Sequence, residues 1–202
     1  MPGYFLVFEG GDGAGKTTQL TALREALADT GREIVVTREP GGTPVGQAIR
    51  DVLLHGEHVA PRAEALLFAA DRAHHVATVV RPALERDAIV LQDRYLDSSI
   101  AYQGAGRALE AEDVRDLSLW GTQGLLPDLT VLLDVPAQTG RERRGAVHDR
   151  LEREADDFHA RVREHFLALA AAAPERYLVL DATRPADELA KDIEAAVRER
   201  LP

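Results

Sequence analysis

Gly10-Gly11-Asp12-Gly13-Ala14-Gly15-Lys16-Thr17 follows directly on a short apolar run, Phe5 to Glu9, and leads into a stretch with helical periodicity. The spacing G-x-x-x-x-G-K-[ST] between a strand and a helix describes a loop built around phosphate. Its glycines let backbone N–H groups converge, and the helix behind it turns its positive end toward the anion. At this spacing Lys16 reaches the outer phosphates and the Thr17 hydroxyl becomes a magnesium ligand. A bare strand-to-helix turn has no need of a lysine and a threonine at those offsets. Of the 24 basic residues only Lys16 and Lys191 are lysines, which makes Lys16 the more conspicuous.

Five apolar segments read as strands: Phe5 to Glu9, Glu33 to Thr37, Ala88 to Asp93, Leu129 to Asp134 and Tyr177 to Leu180. They are apolar throughout rather than alternating, as strands covered on both faces are. Helical periodicity appears between them, in Thr17 to Asp29, Arg62 to Arg86, Glu110 to Thr122, Glu152 to Ala172 and Pro185 to Arg200. The alternation predicts an α/β chain with the P-loop NTPase fold, a five-stranded parallel sheet flanked by helices. A length of 202 residues suits one domain, 1–202, with a sizeable core. The turn at Gly41-Gly42 and the charged stretch from Arg141 to Glu154 are the expected mobile pieces.

Composition narrows the function classes. A net charge of −10 opposes binding a nucleic-acid polymer over a broad surface, so phosphate must be held locally. No apolar run approaches the roughly 20 residues that span a bilayer. The amino terminus has no basic leader and its apolar run stops at Glu9, which predicts a strand and a cytoplasmic protein. The absence of cysteine fits a reducing compartment.

Other strand ends supply further candidates. Asp93 closes one strand and Asp134 another, and either carboxylate can assist a magnesium ion at the sheet's carboxyl edge. No Asn-Lys-x-Asp occurs, which leaves guanine recognition without a reader. Arginines recur instead at turns and strand ends: Arg38, Arg94, and Arg141, Arg143, Arg144 and Arg150. Guanidinium groups clamp phosphates in bidentate fashion, so several around one phosphate loop point to a second phosphorylated substrate.

From Phe5 to about Pro185 the chain resembles the bacterial thymidylate kinases. The motifs that carry the resemblance are Phe8-Glu9-Gly10 through Thr17-Thr18-Gln19, Thr37-Arg38-Glu39-Pro40-Gly41-Gly42-Thr43, Asp93-Arg94-Tyr95 with Ser98-Ser99, Ala101-Tyr102-Gln103-Gly104, Pro127-Asp128-Leu129-Thr130 and Asp149-Arg150-Leu151-Glu152. The resemblance implies transfer of the γ-phosphoryl group of ATP to dTMP, with Mg²⁺ held by Thr17 and Asp93. The loop from Gly10 to Thr18, including Gly11, Gly13, Ala14 and Gly15, is expected to hold ATP together with Arg141 and Arg184. Asp12 is expected to accept from the 3'-hydroxyl of dTMP, and Arg38 and Arg94 to hold its phosphate. Phe68 is expected to stack on thymine while Arg72, four residues on and on the same helix face, donates to its O4. Arg94, Ser98 and Tyr102 fall at four-residue steps, with Ser99 adjacent, so a helix there lines one wall of the pocket. Ser98 and Ser99 either contact the base or anchor that helix. The Tyr102 ring is expected against the sugar C2' edge, favouring deoxyribose.

Gly13 holds the place where some family members carry a basic residue inside the loop, which implies the lid-dependent type. Lys16 and Arg94 then act with a lid arginine, Arg144 and Arg150 leading. The resemblance also implies a homodimer, with Leu66, Leu67, Ala70, Ala77 and Val80 as a candidate face. Two rivals stand: a kinase of another deoxynucleotide, and an ATP-dependent partitioning switch. The switch calls for a second lysine early in the loop, where Gly11 and Asp12 stand.

Overall fold

The computed structural model describes residues 2–105, 109–143 and 150–202. Its strands are β1 (Tyr4–Glu9), β2 (Ile34–Arg38), β3 (Ile89–Asp93), β4 (Leu129–Asp134) and β5 (Tyr177–Asp181). They pair in parallel in the order β2-β3-β1-β4-β5, the five-stranded α/β sheet of a P-loop protein.

β1 lies in the middle, and all six of its residues are buried. Its side chains alternate between two cores. Tyr4, Leu6 and Phe8 meet Leu20 and Leu23 of α1 (Lys16–Ala26) and Ile193 and Val197 of α9 (Ala186–Arg200). Phe5 and Val7 join Val76, Val80, Ala83 and Tyr95 on the other face. Each such side chain contributes roughly 1.5–3 kcal/mol by leaving water. The strand therefore needs apolar residues on both faces, which explains its unbroken hydrophobic run. At the edges of the sheet the cover thins, and Val36 of β2 and Val179 of β5 are half-exposed.

The elements depart from expectation in several places. Glu33 lies outside β2, and Pro44–Arg50 forms an unpredicted helix, α2, extended by a π-helical turn over Asp51–His55. Its start is well specified: Pro44 occupies the first turn and the Thr43 hydroxyl accepts from the Gly46 N–H at 2.9 Å. The long helix expected over 62–86 is α3 (Pro61–His75), a π-helical turn (Val76–Val80) and α4 (Arg81–Glu85). Pro82 has no N–H for the ladder, and the wider turn before it absorbs the mismatch. After α5 (Leu96–Ser99), a third π-helical turn (Ile100–Ala105) and α6 (Ala111–Thr122), α7 (Ala137–Arg143) follows β4. The helix expected from Glu152 begins at Asp156 as α8 (Asp156–Ala172), with Asp156 and Asp157 in its first turn, where the helix dipole favours acidic groups.

The Gly41-Gly42 turn is tied down: Gly41 N–H donates to Asp71 Oδ1 at 3.2 Å, and Arg50 donates to the Pro40 carbonyl at 2.9 Å. No helix among the described residues is long and apolar enough to cross a membrane. Because the strands are parallel, the Gly10 loop, Glu39, Arg94, Asp134 and Ala182 all fall along one carboxyl edge, where ligands of open α/β sheets collect.

Candidate active site

The phosphate loop runs from β1 into α1. Gly10, Gly13 and Gly15 all have positive φ, at 134°, 77° and 93°. A Cβ on Gly13 would overlap the carbonyl oxygen of Gly140 in α7, far inside the 3.0 Å that real Cβ atoms keep. Gly13 therefore leaves no room for the basic residue found there in the other family type, unless α7 withdraws. The Lys16 ammonium donates to the carbonyls of Gly10 and Gly11 at 3.0 and 2.9 Å. Burial lowers its pKa, and neighbouring Arg94 acts in the same direction, against Asp93, Asp12 and Glu9.

Asp93 Oδ2 stands 3.5 Å from the Thr17 hydroxyl, and Asp93 Oδ1 is buried with no hydrogen-bond partner among the described residues. Such an orphaned carboxylate oxygen beside a hydroxyl suits a hard cation that keeps its waters and draws its remaining ligands from phosphates. Asp134, the alternative, is engaged: Arg163 Nε and Nη2 donate to its two oxygens at 2.6 and 2.8 Å.

Two cavities meet at this edge. The wider, enclosing about 1500 Å³ with its open side included, is lined by Asp12 to Gln19, Asp93, Arg94, Arg143 and the loop Ala182 to Ala186. Arg184 lies on its wall, its guanidinium bonded to Asp192 and Glu188. Arg143, the last residue of α7, donates to the Ala182 carbonyl after β5 at 2.8 Å. Arg141 does not line it and pairs instead with Asp156.

The narrower cavity encloses about 690 Å³, within the range of small-molecule sites. Asp12, Phe68, Arg72, Arg94, Ser98, Ser99 and Tyr102 all line it. Arg94 sits at φ 65°, a left-handed conformation that costs a side-chain-bearing residue of order 1 kcal/mol or more. Its guanidinium donates to Asp12, to the Gly10 carbonyl at 3.2 Å and to Ser98 Oγ at 3.1 Å, and lies 5.2 Å from the Tyr102 ring centre. Burial opposes the charge, but the Tyr102 oxygen and the carboxylates of Asp12, Asp93 and Glu9 outweigh it, so the pKa is raised. The Tyr102 hydroxyl donates to Asp12 at 3.0 Å, and its ring packs edge-to-face on Phe158 and Phe166.

Arg72 is 2% exposed, and its guanidinium is surrounded by acceptors. Nε donates to Glu39 at 2.8 Å, Nη1 to Ser118 at 2.9 Å, and Nη2 to the Tyr95 carbonyl and Ser99 Oγ at 3.1 and 3.0 Å. Among the described residues four of its five N–H donors are thus used, and one on Nη1 remains. Glu39 also holds His75 Nδ1 at 2.9 Å, while His75 Nε2 meets Thr37 Oγ1 at 2.6 Å. His75 is fully buried, with both ring nitrogens engaged by these two partners.

Several expected residues lie elsewhere. Arg38 is exposed at the end of β2, beside Thr17 and Asp93, and does not line the narrower cavity. Strand alternation explains this: Glu39 points inward to Arg72, so its neighbour points away. Arg150 donates to Glu64 and to the Leu53 carbonyl, the latter at 2.8 Å, which ties it to α3 and the turn after α2 rather than to the phosphate loop. Arg144 lies outside the described residues. Arg94 precedes α5 rather than forming part of it, although Ser98 and Tyr102 share the wall as the four-residue spacing required.

A family model described as Thymidylate kinase matches residues 8–193. The chain belongs to the thymidylate kinase family. Among curated proteins named Thymidylate kinase, one from Clavibacter sepedonicus is 64% identical over 96% of this chain and 94% of its own length. One from Leifsonia xyli is 60% identical over 99% and 97%, and one from Deinococcus radiodurans 53% identical over 98% and 98%.

Sequence reasoning missed several residues of this thymidylate kinase-family site. Glu39, Arg50, Gln103 and Leu151 line the narrower cavity, and Ala182 to Ala186 the wider one. The rule that found Asp93, a strand end at the carboxyl edge, applies equally after β5 and would have found Ala182. Arg50 belonged to a helix that was not expected. Glu9 is fully buried at the end of β1.

Proposed function

We propose that this member of the thymidylate kinase family transfers the γ-phosphoryl group of ATP to dTMP, giving dTDP and ADP for dTTP synthesis. One observation carries the reading: Asp12 and Arg94 belong to the walls of both cavities, so a donor on the phosphate loop and an acceptor beside Phe68 and Arg72 would meet at a shared cation.

The acceptor is a phosphate, whose second pKa of about 6 leaves it ionised at neutral pH, so no general base is required. Catalysis rests on in-line positioning and charge neutralisation. In this reading Lys16 leaves the Gly10 and Gly11 carbonyls for the outer phosphates, and Arg94 bridges donor and acceptor. Thr17 and Asp93 would hold Mg²⁺, which when bound supplies neutralising charge between the phosphates. Phe68 stacks on the base, and the remaining Nη1 donor of Arg72 serves its O4. Asp12, on the wall of both cavities, accepts from the 3'-hydroxyl, and Tyr102 presses on the C2' edge. The stretch 141–154 is the lid of a single domain. Arg143 is its best-placed arginine, since it already lines the donor cavity, and Arg144 remains a candidate.

A homodimer, not binding to a nucleic-acid polymer or a membrane, completes the reading, in the cytoplasm. Trp120 on α6 is 81% exposed and Leu66 on neighbouring α3 is 57% exposed, an apolar face that a second copy would cover. Val80, first assigned to that face, is fully buried and belongs to the core.

ADP release measured with each of a panel of nucleoside monophosphates tests the function. Release that requires an acceptor and is fastest with dTMP is expected. Preference for another deoxynucleotide would favour the rival kinase, and release indifferent to the acceptor would favour a nucleotide switch.

A further inference from the structure

Glu9 ends β1, is 0% exposed and lines neither cavity, yet it underlies the wall they share. Its Oε1 accepts from the backbone N–H of Tyr95 at 2.8 Å and of Ser98 at 3.1 Å. Its Oε2 accepts the Ser98 hydroxyl proton at 2.6 Å. A hydroxyl has one proton to give and two lone pairs to receive with. A carboxylate, which only accepts, fixes where the Ser98 proton goes, and the Ser98 lone pairs are left facing Arg94 Nη1 at 3.1 Å.

We propose that Glu9 is a positioning residue that acts through Ser98, fixing the direction of its hydroxyl so that Ser98 accepts from Arg94 and holds that guanidinium between the two phosphates. The proposal rests on the reading of Arg94 as the cation at the acceptor phosphate. Reversing the polarity at Oε2 breaks the relay without changing its shape. A glutamine, or a protonated glutamate, donates to Ser98 Oγ, and the serine proton is then turned toward a guanidinium that has only donors to offer. Arg94 would lose an acceptor and gain freedom where misplacement is costly.

The electrostatic surroundings bring the reversal into an accessible range. Burial pushes the Glu9 carboxyl up to about 7, with the Asp97 carboxylate adding to the rise while Arg94, the Ser98 hydroxyl and the Tyr95 N–H oppose it. Lys16 on α1 and Tyr177 on β5 also act on Glu9. Asp97 is itself raised by burial, against the Tyr177 hydroxyl that donates to it at 2.6 Å.

The test compares wild type, Glu9→Gln, Ser98→Ala and the double variant in steady-state kinetics with saturating ATP and varied dTMP, at about pH 8 and about pH 6. At the higher pH Glu9→Gln is expected to lower kcat/KM for dTMP about tenfold, with its melting temperature close to wild type. The gap to wild type closes at the lower pH, because protonated Glu9 donates as glutamine does. In the Ser98→Ala background, Glu9→Gln adds little. A loss within about twofold at the higher pH, or one that persists in full at the lower pH and without Ser98, would reduce Glu9 to packing and overturn the proposal. Should Glu9→Gln not fold, the pH profile of Ser98→Ala decides: the acid limb near 7 must vanish if Glu9 acts through Ser98, and must remain if it does not. The wild-type rate on dTMP tests the functional reading separately, and the ratios between variants are read on whichever monophosphate the wild type accepts.

Discussion

In the narrower cavity, the acceptor side of the proposed reading, Arg72 gives four of its five N–H donors to Glu39, Ser118, Tyr95 and Ser99, whereas at the phosphate loop, its donor side, Lys16 engages two carbonyl oxygens of its own loop. Both are buried cations, but their partners differ in kind. Arg72 is paired with a carboxylate and cross-linked to three elements, so removing it would strand a buried anion, which typically costs about 3–5 kcal/mol. Lys16 is desolvated with only neutral oxygens bonded to it, and its pKa falls accordingly. In the proposed reading the acceptor cavity is therefore preorganised, while the donor loop holds a cation bonded to neutral oxygens, with the carboxylates of Asp93, Asp12 and Glu9 nearby but not bonded to it, until phosphate arrives. Substitutions should separate these two designs: donor-side changes are predicted to fall on turnover, and acceptor-side changes on substrate affinity and stability together.

The largest effect is expected at Lys16. Lys16→Ala should lower kcat by about 100-fold or more, roughly 2.7 kcal/mol of transition-state stabilisation, while the melting temperature stays near wild type. Steady-state kinetics and a thermal melt check both halves. A variant keeping more than about a tenth of wild-type kcat would remove Lys16 from the transition state. A large fall in melting temperature would instead mean that its bonds to Gly10 and Gly11 hold the loop together.

Gly13→Arg comes next and acts on the fold. The sequence alone invites the idea that an arginine at this position delivers the charge expected from the lid, but the Gly140 carbonyl occupies the space where its Cβ would go. Positive φ adds to the cost. A loss of roughly 1–3 kcal/mol is expected, which for a chain of this length lowers the melting temperature by about 2–4 °C per kcal/mol. Gly13→Ala should show most of that loss, since the clash begins at Cβ. If Gly13→Arg were as stable as wild type and raised kcat, α7 would have to be able to withdraw.

Arg72→Lys probes the acceptor side. Lysine keeps the charge beside Glu39 but cannot reproduce a planar fork that reaches Ser118, Tyr95 and Ser99 while leaving one donor for the base. The predicted loss in kcat/KM for dTMP is roughly tenfold, carried mainly by KM, together with a measurable drop in melting temperature. A loss confined to kcat would contradict preorganisation as the distinction between the two cavities.

What the sequence disclosed follows the same division. The phosphate loop, the five strands and much of the wall of the narrower cavity were legible because each depends on local spacing: G-x-x-x-x-G-K-T, apolar runs, and the four-residue steps from Phe68 to Arg72 and from Ser98 to Tyr102. What stayed hidden depends on direction and on partners distant in sequence. Arg38 looked like a phosphate ligand from its place at a strand end, but the inward turn of Glu39 sends it to the outer face. Arg150 looked like a lid arginine until Glu64, far from it in sequence, proved to hold it. Glu9 read as the last residue of a strand, because its role depends on a helix start 89 residues away. The helix α2 was masked by the Gly-Gly turn before it, even though Thr43-Pro44 is a good helix start.

The smallest predicted effects lie among the arginines after β4, and they sharpen the contrast most because these residues share sequence and charge but not position. Arg143 lines the donor cavity and is bonded only to a neutral carbonyl there, so it can turn to a phosphoryl group in flight at little cost. Arg141 is exposed and paired with Asp156, and Arg150 is bonded to buried Glu64. Arg143→Ala should therefore lower kcat about three- to tenfold with little change in the KM for dTMP, since the contact matters most in the transition state. Arg141→Ala should remain within about twofold of wild type in both constants, as expected for an exposed ion pair. Arg150→Ala should lower the melting temperature more than kcat, because it leaves the Glu64 carboxylate buried beside one fewer cation. If Arg150→Ala instead lost kcat as Arg143→Ala is predicted to, its bond to Glu64 would have to break during each turnover, and the division between a fixed acceptor side and a responsive donor side would fail at the point where the two meet.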